Sequence, residues 1–534
     1  MDRDIPGFAL ARLGVKTTRV FIPEVGVGCG AWMKSVLFVS ALVSFVLLLG
    51  RLSGFVREML LAASFGPTAT ADAAIVLLTL PDLMVGLLLA GGFNAVLIPA
   101  IKQAEGAARI ALVWRVACVV GVAFAVLAVI LAAVPDQVMA VMAPSLREGA
   151  LPDLPLAFRL SLIALPMVAV IGVAAAYLNS IGRFAVPNLS VLLFNLTLCA
   201  YLLAQQGLSP GLVGFALAIL AASVVRLGLH LVFMKPFLRQ AKPRPGADTS
   251  RVLDAGFVQR FALGVLGLGV TVAAPVVFRT LYAATGEGNL ALFSFALKLF
   301  ELPSAILIAP VVIVMIPKLA SLTAPEERGA FDQALMTALM AGVALATVAA
   351  CVAFVFAIPI TGAVYGYGAM GAEGVARVAG LTVLLMLGLP FLVVVQLGAA
   401  ALSAQGQVRQ MVVWALVCLA VTAAAVALLQ AVAQGCDLPF AAIGLTIYNA
   451  LLAGCYLACL FGVRWPSGIT QRKIGWIVLR SVAASLPFGA AMAYYSDMLG
   501  RWGGVGLAGA AGLLLLLANI GPLRALRRLQ IDSR

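Results

Sequence analysis

Five charged residues lie within one long apolar stretch of the chain, namely Arg51, Arg57, Glu58, Asp72 and Asp82. In a lipid-buried helix each charge costs about 2.5–3.5 kcal/mol, so such residues usually face a cavity or a partner. The planar donors of an arginine bind phosphate oxygens in pairs. The pattern favours a polar cavity that receives an anionic substrate. In the alternative, Arg57, Glu58 and Asp72 only neutralise one another in a structural network.

A second charged pair lies much further along the chain, within residues 295–303. Lys298 and Glu301 are three residues apart, so they can pair on one face of a helix. Two interpretations stay open at this point. Either the pair is neutralised in place, or Lys298 lies across a cavity from the two arginines of the first stretch.

Three further polar residues of the apolar segments are assigned roles outside any site. Arg226 and His230, four residues apart, are placed near the cytoplasmic end of a span and interpreted as structural. Arg279 is interpreted as an interfacial cation whose side chain reaches the membrane surface. The sequence contains no H-E-x-x-H motif, no phosphate-binding loop and no Ser/His/Asp set, which argues against an enzyme.

Glycines and prolines mark candidate bends in the helices that carry these charges. Gly50 and Gly54 form a small-xxx-small pair, which permits close helix approach or a local bend. The two arginines of that helix point to different sides if it is straight, and a bend beside Gly54 would bring both to one cavity. Pro81 and Pro303 are predicted as the corresponding bends in two later helices.

The composition assigns the chain to the membrane. Of 534 residues, 63% are hydrophobic and 10% are charged, and apolar stretches of membrane-spanning length recur. The predicted fold is an all-α polytopic membrane protein. The net charge of +14 lies largely in short loops, which indicates membrane topology and not nucleic-acid binding. None of the eight cysteines forms a C-x-x-C, so neither a metal nor a cofactor is predicted.

Fourteen transmembrane helices are predicted, as two parallel six-helix lobes and two extra C-terminal helices. A repeat supports the lobes, because Leu80-Pro81 matches Leu302-Pro303 and Leu165-Pro166 matches Leu389-Pro390 at nearly the same offset. The predicted parts are a disordered or misassigned N-terminal tail (1–32), an N-lobe (33–236), a cytoplasmic linker (237–254), a C-lobe (255–463), and a last part with two spans and a basic tail (464–534). Nearly all loop Lys and Arg fall on one side, which predicts that both termini are cytoplasmic.

Four blocks of the sequence resemble one known family. They are Gly50-Arg51-Leu52-Ser53-Gly54-Phe55-Val56-Arg57-Glu58, Ala71-Asp72-Ala73-Ala74, Gly91-Gly92-Phe93-Asn94-Ala95-Val96-Leu97-Ile98-Pro99 and residues 296–303, and a fifth, Pro81-Asp82-Leu83-Met84-Val85-Gly86, matches in part. They resemble the MurJ (MviN) lipid II flippases of the multidrug/oligosaccharidyl-lipid/polysaccharide exporter superfamily. The resemblance implies a six, six and two helix plan. It also implies that lipid II, an undecaprenyl-pyrophosphate-linked peptidoglycan precursor, crosses the bacterial cytoplasmic (inner) membrane by alternating access.

The same resemblance implies roles for individual residues. Arg51, Arg57 and Lys298 would line the central cavity and hold the pyrophosphate. Asp72 and Glu301 would be acidic partners in that cavity, and Glu58 beside Arg57 is added as a third. The last two helices would form a groove for the lipid tail. The expected partners are lipid II or a similar polyprenyl-pyrophosphate saccharide and membrane lipids. A monomer is expected, with cell-envelope synthesis enzymes as candidate partners.

The sequence departs from the family pattern at several positions. The family's paired arginines fall on Val85 and Gly86, and its second-lobe arginine is Lys298. Acidic residues that hold sodium in some members have no counterpart on spans seven and eleven, which makes a sodium site doubtful. These departures leave other functions open. They are a flippase for another polyprenyl-linked saccharide, such as an exopolysaccharide or capsule unit, a drug/cation antiporter, and a non-transporting scaffold.

Overall fold

The structure, a computed structural model, is helical almost throughout the residues that it describes. Those residues are 29–87, 97–104, 106–146, 151–205, 211–240, 269–433 without 271, 438–461, five positions between 476 and 483, and 502–531 without 518. Within these ranges no residue lies in a β-strand. By its contacts the chain divides into two units, Met1–Phe45 and Val46–Arg534. The site described below lies in the second unit.

Nineteen helices of six or more residues are described along these ranges. They are α1 (Cys29–Phe65), α2 (Ala69–Leu87), α3 (Ile98–Gln103), α4 (Gly106–Ala133), α5 (Pro135–Met142), α6 (Leu154–Leu162), α7 (Ala164–Ser180), α8 (Ala185–Ala204), α9 (Leu212–Gln240), α10 (Val272–Ala283), α11 (Asn289–Pro303), α12 (Ala309–Ser321), α13 (Arg328–Tyr365), α14 (Gly371–Met386), α15 (Leu389–Ala404), α16 (Val408–Val432), α17 (Phe440–Phe461), α18 (Trp502–Leu517) and α19 (Ile520–Ile531).

The helices have the length and the surface of membrane spans. Within the described residues, nine helical segments are long and apolar enough to cross a bilayer. On α4, large apolar side chains at Val119, Val122, Val126 and Val129 are exposed along one face. In water such a stripe would be costly, whereas lipid tails cover it.

The count of fourteen spans stays a prediction, because several predicted segments fall outside the described residues. Those segments are most of the tail 1–32, the linker 237–254 beyond Gln240, the start of the span 255–284, and most of the span 473–495. The division into two lobes also stays a prediction. The described helices nevertheless pack in two groups, one formed by α2 to α9 and the other by α11 to α17, and the main packing between the groups joins α2 to α11.

Two tight turns bring the groups together at one end of the bundle, where backbone meets backbone. Gly66, between α1 and α2, has φ +61°, and Gly288, before α11, has φ +78°. A Cβ on Gly66 would overlap the carbonyl oxygen of Ala369, and a Cβ on Gly288 would overlap that of Pro67. Only glycine combines this backbone conformation with so close an approach. We call this region, residues 63–72, 285–291 and 366–370, the joined end.

The residues predicted as bends lie in helices around the cavity. Gly50 and Gly54 lie within α1, which continues through both, and they allow α8 to approach closely: a Cβ on Gly54 would lie 3.3 Å from the side-chain nitrogen of Asn195. Pro81 lies inside α2. Pro303 ends α11 and is followed by one π-helical turn, Ser304–Ile308, before α12 begins. That these positions act as hinges stays a prediction.

Candidate functional site

A cavity of about 620 Å³ lies between α1, α2, α8, α9, α11 and the π-helical turn. Six charged side chains line it: Arg51, Arg57, Asp82, Arg226, Lys298 and Glu301. The structure thus brings together the three cations that the sequence assigned to one cavity, although they come from helices about 240 residues apart in the sequence. Gly50, Gly54 and Gly86 also line this space.

Arg57 is the most firmly held of these cations. Its side chain is buried, donates to Glu58 at 2.7 Å and to the side-chain oxygen of Asn195 at 3.2 Å, and lies 3.8 Å from Asp82. Asn195 in turn donates to the carbonyl oxygen of Gly50. This network fixes the guanidinium against the cavity wall. Glu58 itself is not part of the cavity lining, so it is a counter-charge for Arg57 on the side away from the cavity.

Arg51 is held much more loosely. Its side chain is exposed, and one guanidinium nitrogen donates to the carbonyl oxygen of Ala305 at 3.2 Å. Ala305 lies in the π-helical turn, so the bond links α1 to the region between α11 and α12. A guanidinium with a single weak bond keeps most of its donors available for an anion.

Lys298 and Glu301 form the pair that their spacing predicted. Their nitrogen and oxygen are 2.8 Å apart, and both side chains line the cavity. The structure therefore satisfies both interpretations at once, since the pair is neutralised in place and the cation also faces the cavity. Because Glu301 is half exposed, a stronger anion can compete for Lys298.

Asp72, predicted as an acidic residue of the cavity, lies elsewhere. The side chain is fully buried at the joined end and accepts from the backbone N–H groups of Gly288 and Ala291, both at 2.7 Å. It therefore caps the N-terminus of α11 from the opposite helix group. The physical reason is distance along α2. Ten residues separate Asp72 from Asp82, the carboxylate that does reach the cavity, and ten residues of helix span about 15 Å.

Two further assignments from the sequence also differ from the structure. Arg279 does not reach towards the membrane surface, because it donates to the hydroxyl of Thr79 at 2.6 Å and to that of Ser294 at 3.4 Å. Arg226, interpreted as structural, lines the cavity, and it lies at the middle of α9. The signal for Arg226 was present in the sequence: a charge within the apolar span Leu212–Lys235 indicates a functional site by default.

A second, larger cavity of about 910 Å³ lies near the joined end, among α10, α11, α14, α16 and α17. Its charged lining residues are Glu287, Glu373 and Arg377, and Arg377 donates to the side chain of Asn289 at 2.6 Å. It contains none of the predicted site residues. The smaller cavity is therefore the candidate site.

Comparison with known proteins assigns the chain that forms this cationic cavity to a family. A family model described as lipid II flippase MurJ matches residues 61–507. The chain belongs to the MurJ lipid II flippase family. That match covers most of the sequence, including both helix groups. The family is one of membrane transporters, not a class of catalytic enzymes.

Individual MurJ relatives are distant in sequence. A lipid II flippase MurJ of Burkholderia cenocepacia is 26% identical over 380 residues, which cover 68% of this chain and 72% of that protein. A probable lipid II flippase MurJ of Aquifex aeolicus is 26% identical over 275 residues, which cover 51% of this chain and 54% of that protein.

Solved structures support the MurJ fold. A lipid II flippase MurJ in an inward closed conformation superimposes with a TM-score of 0.75 at 15% identity, covering 90% of this chain and 98% of that one. An inward-facing multidrug resistance MATE family transporter of the MOP superfamily gives a TM-score of 0.60 at 16% identity, covering 80% and 95%. At such identities the likeness concerns the fold alone.

Proposed function

We propose that this protein moves lipid II from the inner to the outer leaflet of a bacterial cytoplasmic membrane by alternating access. The observation that carries the proposal is the cavity in which Arg51, Arg57 and Lys298 converge inside an apolar helical bundle. Charges that are expensive in lipid are retained where they bind a substrate. Family membership supplies the cargo that fits them, a lipid that carries a pyrophosphate.

Each cation has a distinct task in this proposal. Arg57, clamped by Glu58 and Asn195, presents a fixed guanidinium edge to one phosphate. Arg51 and Lys298 are mobile enough to close on the pyrophosphate from two sides, because one has a single bond and the other pairs with a half-exposed carboxylate. Binding the anion then releases Lys298 from Glu301 and Arg51 from the carbonyl of Ala305.

The joined end would be the outer gate. The charge distribution of the loops supports this orientation, because it puts both termini in the cytoplasm and the α1–α2 turn outside. Closure there leaves the cavity open towards the inner leaflet, where the cargo is made. Opening would require α2 to leave α11, which breaks the cap that Asp72 makes on Gly288 and Ala291.

The finer architecture follows the family plan. The two helix groups would be six-helix lobes that rock about the cavity, and the two helices after residue 464 would guide the polyprenyl tail. The protein would work as a monomer, because the cavity is completed within one chain.

The decisive experiment is complementation of a bacterium depleted of its own lipid II flippase. Expression of this chain is expected to restore growth. Arg51→Ala is expected to abolish rescue at unchanged membrane levels, whereas Arg409→Ala, an exposed arginine at the start of α16, serves as the matched control and should rescue fully. Failure of the wild-type protein in several hosts would contradict lipid II as cargo and favour another polyprenyl-linked saccharide.

A further inference from the structure

Arg226 lies at the same depth in the bundle as the arginines of α1. The rings of Phe65 on α1 and Phe215 on α9 are 6.1 Å apart, which sets the two helices level at that point. Arg226 is eleven residues further along α9, or about 16 Å at 1.5 Å per residue. On the same scale Arg57 and Arg51 lie about 12 and 21 Å from Phe65. Arg226 therefore lies between them in depth, and it lines the same cavity.

The electrostatic situation of Arg226 differs from that of its neighbours. Arg57 and Lys298 have carboxylates at 2.7 and 2.8 Å. Among the described residues, by contrast, no carboxylate lies within 4.0 Å of Arg226, and its buried Nε has no hydrogen-bond partner. Asp82, which lines the same cavity, acts on Arg226 electrostatically from beyond that distance. Arg226 is only 6% exposed, and within the described residues its guanidinium carbon lies 5.1 Å from the centre of the Phe194 ring.

A buried cation whose nearby carboxylate is out of hydrogen-bond reach and shared with Arg57 is an unfavourable arrangement, which an anionic ligand relieves. The aromatic face holds the guanidinium in place but offers no oxygen acceptor. The donors of Arg226 are thus pre-positioned and unused, which is the condition for a strong charge-assisted bond to a phosphate. The other cations of the cavity come from α1 and α11, so Arg226 on α9 adds a donor from a third helix.

We propose that Arg226 binds the cargo and selects a pyrophosphate over a monophosphate. The proposal rests on the proposed function, since it concerns the same cavity and the same class of lipid. In it, the cations of α1 and α11 suffice to hold a single phosphate, and Arg226 contributes only when two phosphates are linked.

Binding to the purified full-length protein in lipid nanodiscs tests this directly. The probes are undecaprenyl pyrophosphate and undecaprenyl monophosphate, and the readout is the Kd for each. Arg226→Gln is expected to weaken pyrophosphate binding about tenfold or more, the loss typical of a bond to a charged group. It should leave monophosphate binding within about twofold. Arg226→Lys keeps the charge but loses the planar pair of donors, so its Kd for the pyrophosphate should lie between those of the wild type and Arg226→Gln.

Matched variants separate the possible outcomes. Arg409→Gln, exposed and outside the cavity, should bind both probes as the wild type does. If Arg51→Gln weakens binding while Arg226→Gln leaves both Kd values unchanged, the proposal is overturned and the cavity assignment stands. If neither variant changes either Kd, the cavity assignment itself fails. An equal loss for both probes in Arg226→Gln would refute selection. If Arg226→Gln does not fold, Arg226→Lys takes its place. A ratio of pyrophosphate Kd to monophosphate Kd equal to that of the wild type would then overturn the proposal.

Discussion

The cap that Asp72 places on α11 makes a quantitative prediction about the joined end. The carboxylate accepts two backbone N–H groups at 2.7 Å in a fully buried site. Asp72→Asn keeps the size of the side chain but removes the charge and one acceptor, so one amide loses its partner. Losing a cap of this kind costs about 0.5–2 kcal/mol, and a hydrogen bond to a charged group contributes about 1.5–3 kcal/mol. We therefore expect the closed joined end to lose about 2 kcal/mol, close to a 30-fold change in its equilibrium with the open state.

Hydrogen–deuterium exchange reads this change at the amides concerned. In Asp72→Asn, a peptide that covers residues 288–296 should exchange about 30-fold faster, because every opening exposes the first turn of α11. Glu287→Gln is the matched control, since this exposed carboxylate is next to the same turn and makes no bond in the described structure. If the amides of Asp72→Asn stay as protected as those of the control, Asp72 does not hold the joined end closed. Slower lipid II translocation in Asp72→Asn, at normal membrane levels, is expected to accompany the loss of protection.

Two further predictions concern the Arg57–Glu58 pair and the glycine turns. Arg57→Ala leaves Glu58 buried without a counter-charge, which should destabilise the fold by about 3–5 kcal/mol. Adding Glu58→Gln should restore the Tm of the purified protein but not rescue in the complementation assay, and restored rescue would show that Arg57 is only structural. Gly288→Ala should prevent closure and abolish rescue, because the new Cβ meets the carbonyl of Pro67. Gly406 has a similar φ of +72°, but a Cβ there would have no atom within 4 Å, so Gly406→Ala should keep activity. An equal loss of activity in both variants would show that backbone strain alone is responsible.

The sequence predicted the cavity residues better than the residues of the joined end, for a physical reason. Charges are costly within apolar spans, so the sequence favoured a cavity, and the family resemblance then implied that Arg51, Arg57 and Lys298 line it. The partner of Asp72 lies 216 residues away and is a backbone amide, for which no side-chain pattern exists. The contribution of Arg226 to the cavity was missed because hydropathy places a charge along its own helix but does not say which side of that helix faces a cavity.

Asp82, Asn195 and the bond from Arg279 to Thr79 illustrate a second limit. Each depends on which helix faces which, and a single sequence contains periodicity within a helix but no distance between helices. Asn195 in particular has an unremarkable position in α8, yet it bonds both Arg57 and the backbone of α1. Its role follows from the two glycines opposite, which let the helices approach until an amide side chain can reach across.

The glycine contacts at the joined end bear on the energy of each transport cycle. At these contacts the glycines have no side chain to immobilise, so the contacts themselves cost no rotamer entropy on closing. As the proposed outer gate, the joined end would then depend on the one buried carboxylate that caps α11. Contacts of this kind suit a protein that must open and close once for every molecule it carries.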